Sequence, residues 1–118
     1  MIHVFMDDAR PCPKGFVYAQ NIEECLILLR ECEVGVLSLD YDLGWNEPSG
    51  SELVRRMIEE RLFPRSIYLH SSSWSGRTAM YQMLYAAKPE EVELFVHPPP
   101  PELLGQIARE AQQAHRRS

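Results

Sequence analysis

Acidic, histidine and serine side chains follow four short apolar runs in this sequence, at the point where each run ends. Such runs, separated by helical patterns, predict buried strands of a mainly parallel sheet, whose carboxyl ends open at one edge. The polar residues at these ends are Asp7 and Asp8, Asp40 and Asp42, His70 and Ser71, and His97. Ligands of such sheets bind at this edge, so we expect one functional site there.

The carboxylates of this group predict a metal site. Carboxylates gathered within a few ångströms repel one another, and a hard divalent cation with oxygen ligands relieves that repulsion. The pattern therefore predicts Mg²⁺ or Mn²⁺. The expected ligands are Asp7, Asp8, Asp40 and Asp42. Zinc is less favoured, because no short-range ligand pair supports the histidines.

The same edge carries groups suited to phosphate. Ser71 and Ser72 lie between a strand and a helix, where hydroxyls and free backbone N–H groups together hold an anion. Arg10 can add a bidentate contact to a phosphoryl group. Histidines at two strand ends titrate near neutral pH and could transfer protons, and an aspartate could attack phosphorus or hold metal. The expected catalytic residues are Asp40, His70 and His97.

The elements that must position these residues alternate along the chain. Apolar runs predict strands at residues 2–6, 16–19, 34–39, 66–70 and 92–96, and amphipathic spacing predicts helices at residues 21–32, from 50 to about 62, 75–87 and 102–115. Residues 9–15, ARPCPKG, contain two prolines and a glycine, which exclude a regular helix there. The result is an α/β fold with a mainly parallel five-stranded sheet, in which a loop replaces the helix between the first two strands.

Size and composition narrow the class of protein. The 118 residues, 45% of them hydrophobic, suit one domain spanning 1–118. A net charge of −5 disfavours an extended surface that binds nucleic acid, and it disfavours binding to an anionic membrane. No apolar run approaches the ~20 residues of a membrane span, and no signal peptide precedes the first strand. We expect a cytoplasmic protein whose three cysteines, Cys12, Cys25 and Cys32, are buried reduced thiols.

Three motifs resemble those of a known family. They are DDARP at 7–11, SLDYDLG at 38–44, and HS at 70–71. With Gly50 at the start of the next helix, they are similar to the receiver domains of two-component response regulators. They look closer still to the atypical cyclic-phosphate processing receiver domains. This resemblance implies a flavodoxin-like three-layer sandwich with strand order 2-1-3-4-5.

The resemblance also implies roles for individual residues. Asp8 and Asp40 would bind Mg²⁺ with the carbonyl of Asp42, Asp40 would be the phosphoacceptor position, and Ser71 would contact the phosphoryl group. Receivers carry Lys followed by Pro after the last strand, whereas here His97 precedes the proline. The fixed cation of the receivers is therefore missing from that position.

Two functions of different classes fit these observations. The first is divalent-metal-dependent processing of a phosphate ester, such as a cyclic phosphate end of RNA or a nucleotide, so the expected partner is a phosphate-containing small molecule or an RNA terminus. The second is a receiver-like module, either a phosphoacceptor in signalling or a non-catalytic domain. Such a module would bind a protein partner through the face of its C-terminal helix.

Overall fold

The computed structural model describes residues 1–44 and 47–117. These residues form five strands, β1 (Ile2–Met6), β2 (Val17–Ala19), β3 (Val34–Leu39), β4 (Ser66–Leu69) and β5 (Glu93–Phe95). They also form four helices, α1 (Ile22–Glu31), α2 (Gly50–Glu60), α3 (Trp74–Ala87) and α4 (Pro101–Arg117). Every element predicted from the sequence is present, with boundaries that differ by at most two residues.

All strand pairs in the sheet are parallel, and the strand order is β2-β1-β3-β4-β5. The predicted flavodoxin-like order 2-1-3-4-5 is therefore confirmed. Turns and bends, without a helix, connect β1 to β2 over residues 7–16, as the prolines predict. Gly15, at φ +92°, lets this connection pass against Ile107 of α4, where a Cβ atom would meet the Ile107 backbone at 2.9 Å.

Two apolar clusters cover the two faces of the sheet. The larger joins α1, α2 and α3 to alternate residues of β1, β3 and β4, and its fully buried members include Leu26, Leu37, Leu53, Leu69 and Met80. The smaller joins Val36 and Tyr68 to Ile107 of α4. All six residues of β3 are buried. The central strand is thus covered on both faces, as its continuous apolar run predicts.

Local signals set the ends of α1. The Asn21 side chain accepts a hydrogen bond from the Glu24 N–H at 2.9 Å and caps the N-terminus. At the other end Cys32 has extended backbone angles, φ −129° and ψ 153°, and its side chain is exposed. The prediction of a buried thiol is wrong for Cys32, because the helix ends at Glu31 and helical spacing no longer sets the side-chain direction.

The other two cysteines differ in burial. Cys25 is fully buried on α1, and Cys12 is half-buried in the loop after β1. All three thiols are free. Among the residues that the structure describes, no helix is both long and apolar enough to cross a membrane.

Candidate functional site

The register of the sheet brings Asp7, Asp40 and His70 to the same level. Met6 pairs with Leu39, and Leu39 pairs with Leu69, so the next residue of each strand lies at a common edge. The backbone N–H of Asp40 donates to the Met6 carbonyl, and that of His70 donates to the Leu39 carbonyl. One ligand atom from each of the three side chains lies within 4.8 Å of the others.

A cleft of about 700 Å³ opens at this edge. It is lined by Asp7, Asp8, Ala9, Arg10, Asp40, Asp42, Gly44 and Ser72. The structure therefore places all four aspartates that the sequence indicated at one cleft. They come from the ends of two neighbouring strands, as parallel strands dictate.

Asp7 is buried and accepts four hydrogen bonds. Its Oδ1 accepts from the backbone N–H groups of Ala9 at 2.9 Å and Arg10 at 3.1 Å. Its Oδ2 accepts from Arg10 Nη1 at 3.0 Å and from His70 Nε2 at 2.8 Å. Burial raises the pKa of Asp7, but these hydrogen bonds outweigh burial and lower its pKa from 3.8 to about 2. Asp7 is therefore a fixed, ionised carboxylate.

His70 connects Asp7 to the interior of the sheet. Its Nδ1 lies 2.6 Å from the hydroxyl of Ser38, which is fully buried on β3. The His70 ring also stacks on Phe5 with a centroid distance of 4.6 Å and an interplanar angle of 7°. Burial lowers the pKa of His70 more than the nearby Asp7 raises it. The neutral ring then donates from Nε2 to Asp7 and accepts at Nδ1 from Ser38.

Arg10 is the cation of the site. Its Nη1 lies 3.0 Å from Asp7 Oδ2 and 3.5 Å from Asp40 Oδ1, and 42% of its side chain is exposed. The guanidinium thus lies beside both carboxylates while it remains open to the cleft. Receivers carry a lysine after the last strand, whereas the arginine of this cleft lies in the loop after β1.

The donor set at the cleft fits a hard divalent cation. Four hydrogen bonds use the lone pairs of Asp7, and Asp40 Oδ1 accepts from the Tyr41 N–H at 2.9 Å. Among the groups that the structure describes, no hydrogen bond reaches Asp40 Oδ2 or the half-buried Asp8 carboxylate. These free oxygens could bind a hard cation, but the ligand atoms that lie within 4.8 Å of one another are those of Asp7, Asp40 and His70, and Asp8 is not in that group. Although Asp7 and His70 lie close by, they hydrogen bond to each other, so both are weaker candidates for ligands.

The backbone around the acidic cleft is closely packed. Gly44 has φ +112°, and a Cβ atom there would lie 2.9 Å from Asp8 Oδ2. The positive φ favours glycine at this position, and the end of the Asp8 side chain approaches it closely. The exposed Asp42 accepts a hydrogen bond from the Gly44 N–H at 3.2 Å, and this bond orders the loop beside Asp8.

The two serines after β4 have different surroundings. Ser71 is buried, and its hydroxyl accepts from the Ser73 N–H at 3.1 Å. Ser72 is exposed and lines the cleft. Ser73 caps α3 by accepting from the Gly76 N–H at 3.1 Å. Of the two predicted phosphate-binding serines, Ser72 is therefore the one with its side chain at the cleft.

His97 lies away from the acidic side chains. It follows β5, two strands from β3, and neighbouring strands lie about 4.8 Å apart, so it is roughly 10 Å from the end of β3. The exposed ring donates from Nδ1 to the Pro98 carbonyl at 2.8 Å and packs beside Tyr68 and Phe95. The structure does not bring His97 into contact with the other predicted catalytic residues.

The sequence reasoning missed Ser38. The sequence does contain an indication of its role. Ser38 carries a hydroxyl within a run whose other side chains are apolar, and a buried hydroxyl needs a hydrogen-bond partner. Period-two alternation also places Ser38 and Asp40 on the same face of β3. The partner, however, is His70, which directly follows β4 and lies 32 residues further along the chain.

The chain is similar to known proteins in sequence and in fold. A family model described as "Cyclic-phosphate processing Receiver domain" matches residues 2–86. The chain belongs to this family. The matched residues run from β1 to the last turn of α3 and include every site residue discussed above except His97. A search of curated proteins finds no match.

The chain is also similar to a solved structure, the CheY-like response regulator receiver domain protein from Methanospirillum hungatei JF-1. The two share 11% sequence identity and a TM-score of 0.51, and the match covers 100% of this chain and 99% of that one. At this identity the similarity shows the fold alone. The receiver fold of this family member therefore stands on both the family match and the strand topology.

Proposed function

We propose that this chain binds a phosphate-bearing ligand at the cleft between the ends of β1 and β3 and processes cyclic phosphate ends of RNA or nucleotides with a divalent cation. One observation carries the proposal. The partly exposed Arg10 guanidinium lies 3.5 Å from Asp40 Oδ1, in the same cleft as the Asp8 carboxylate. Carboxylates for a metal and a guanidinium for a phosphoryl group are thus side by side.

Separate residues of the cleft would bind the cation and the phosphoryl group. Asp8 and Asp40 would hold Mg²⁺ or Mn²⁺, with the Asp42 carbonyl as a third ligand by analogy with receivers. When bound, the cation would neutralise charge on the phosphoryl oxygens. Arg10 donates to the same oxygens, and the exposed Ser72 hydroxyl can donate from the rim of the cleft.

The proposed reaction opens a cyclic phosphodiester by hydrolysis. The oxygen of water bonds to phosphorus while one ring P–O bond breaks, and the released ribose oxygen takes up a proton. A base accepts the proton that the attacking water loses. That base would be a carboxylate of the cleft.

Turnover of a 2′,3′-cyclic nucleotide tests the proposal. We expect hydrolysis that stops with a chelator and returns with Mg²⁺. Asp8→Asn and Asp40→Asn should each lower turnover by about 100-fold or more, as expected for loss of a metal ligand or base. Glu90→Gln removes an exposed acid outside the cleft and should leave turnover unchanged. No turnover across a panel of cyclic and linear phosphoesters would refute the enzymatic proposal.

The position of Arg10 also favours a second candidate function, a phosphoacceptor domain. A guanidinium 3.5 Å from Asp40 could contact a phosphoryl group carried on that aspartate. Incubation with a small acyl phosphate and Mg²⁺, followed by intact mass measurement, tests this function. A phosphoryl adduct that is absent from Asp40→Asn would support it. If neither turnover nor an adduct is found, a non-catalytic module that binds a partner through α4 becomes the better proposal.

A further inference from the structure

We infer that Ser38, His70 and Asp7 form a positioning chain that holds Arg10 beside Asp40, and that His70 acts through this chain and does not exchange protons with the ligand. The inference deepens the function proposed above and rests on its assignment of Arg10 to the phosphoryl group. It gives a role to a buried serine, the first residue of the SLDYDLG motif, and it replaces the expectation that His70 is an acid or base.

The chain is continuous from the core to the cleft. The Ser38 hydroxyl lies 2.6 Å from His70 Nδ1, and His70 Nε2 lies 2.8 Å from Asp7 Oδ2. The same oxygen of Asp7 accepts from Arg10 Nη1 at 3.0 Å. Arg10 Nη1 then lies 3.5 Å from Asp40 Oδ1. Three successive hydrogen bonds therefore link a buried strand to the guanidinium.

The first three members of the positioning chain are buried, and the last is partly exposed. Ser38 is 0% exposed, and the side chains of His70 and Asp7 are 5% and 1% exposed, whereas Arg10 is 42% exposed. The three buried groups have little room to move, and each satisfies the hydrogen-bonding capacity of the next. Stacking on Phe5 further fixes the His70 ring. Only the end of the chain is free to meet a ligand.

Asp7 restrains Arg10 at two points. Its Oδ1 accepts the Arg10 backbone N–H at 3.1 Å, and its Oδ2 accepts the guanidinium at 3.0 Å. A long arginine side chain otherwise loses much rotamer freedom when it binds a ligand. Holding both the backbone and the guanidinium in advance reduces that loss, so a phosphoryl group meets an ordered cation.

The sheet topology explains why these residues can meet. Side chains alternate between the faces of a strand, which places Asp7 on the Phe5 face of β1 and Ser38 on the Val36 face of β3. Val36 belongs to the cluster on the α4 side. Asp7 directly follows β1, Ser38 lies on β3 and His70 directly follows β4, and these three strands are adjacent in the sheet. The chain therefore crosses the carboxyl edge on the face that α4 covers.

A pair of substitutions at His70 separates positioning from proton transfer. The amide nitrogen of His70→Gln can replace Nε2 as the donor to Asp7, whereas that of His70→Asn is too short to reach it. A positioning role predicts that the glutamine variant keeps function and the asparagine variant loses it. A role as acid or base predicts that both variants lose function equally.

The first measurement needs no turnover. Proton exchange of the Arg10 guanidinium, followed by ¹⁵N NMR, should be slow in the native chain and in His70→Gln. It should become at least about tenfold faster in His70→Asn and in Ser38→Ala, because Asp7 is no longer held. Amide spectra identify variants that remain folded, and Ser38→Ala serves if His70→Asn does not fold. Unchanged Arg10 exchange in a folded His70→Asn or Ser38→Ala variant would overturn the inference.

The second measurement uses the ligand. With a 2′,3′-cyclic nucleotide and Mg²⁺, His70→Gln should keep kcat and KM within about threefold of the native values. His70→Asn should raise KM by about tenfold with a smaller effect on kcat. An equal loss of kcat of about 100-fold in both variants would show that His70 transfers protons and would refute the positioning role. If the protein shows no turnover, the proposed function fails, and the exchange measurement still tests whether Ser38, His70 and Asp7 hold Arg10 in place.

Discussion

Acid should destabilise this protein through Asp7 in a defined pH range. The folded pKa of Asp7 is lowered from 3.8 to about 2, so the folded state favours the ionised carboxylate. This lowering corresponds to about 2 kcal/mol of stability, which is fully present above the unfolded pKa of 3.8. The contribution is lost as the pH falls from 3.8 through about 2, where the folded carboxylate also binds a proton.

His70 adds an earlier loss of stability. Burial lowers its folded pKa below the ordinary value of 6.5, so the unfolded chain binds a proton first as the pH falls. Its contribution to stability is therefore full above pH 6.5 and decreases below that value until the folded histidine also becomes charged. As the pH falls, the His70 contribution to stability is lost first, below pH 6.5, and the Asp7 contribution is lost later, below pH 3.8.

Urea unfolding at several pH values measures the Asp7 contribution. We expect the native chain to exceed Asp7→Asn in stability at about pH 7, and this excess should shrink by about 2 kcal/mol as the pH falls to about 2. Asp42→Asn removes an exposed aspartate of the same cleft and serves as the matched control. If the free energy of unfolding changed with pH in the same way in the native chain and in Asp7→Asn, the reasoning would be refuted, because the lowered pKa of Asp7 would then make no contribution to stability.

Two further predictions concern packing and thiol reactivity. Gly76→Ala should destabilise the chain by about 1–3 kcal/mol, because a Cβ atom would overlap the Tyr41 ring. Gly105→Ala should stabilise it by up to about 1 kcal/mol, since its Cβ atom meets only a flexible side chain at 3.2 Å. Urea midpoints test both, and equal shifts would contradict the Tyr41 contact. Burial raises the pKa of Cys25 to about 12, whereas Cys32 is exposed. Mass spectrometry after brief alkylation should therefore find Cys32 modified in the native chain and Cys25 modified only in denaturant, and early modification of native Cys25 would contradict its burial.

Local pattern was sufficient to predict the order of the elements. The apolar run before Asp40 predicts a strand buried on both faces, and the prolines of residues 9–15 exclude a helix between β1 and β2. Parallel strands share one carboxyl edge, so the meeting of Asp7, Asp8, Asp40 and Asp42 at one cleft also follows from the sequence. These features depend on residues close together in the chain or on a general rule of parallel sheets.

Only the tertiary structure decided what each polar side chain does at that edge. The sequence gives Asp7 and Asp8 the same type and nearly the same place, yet Asp7 accepts four hydrogen bonds whereas Asp8 faces the cleft. His70 and Ser38 meet across 32 residues of chain, and the Arg10 guanidinium lies 3.5 Å from Asp40 Oδ1 although the two residues are 30 positions apart in the sequence. Which donor reaches which lone pair depends on distances between strands and loops, and a pattern along one chain does not contain those distances.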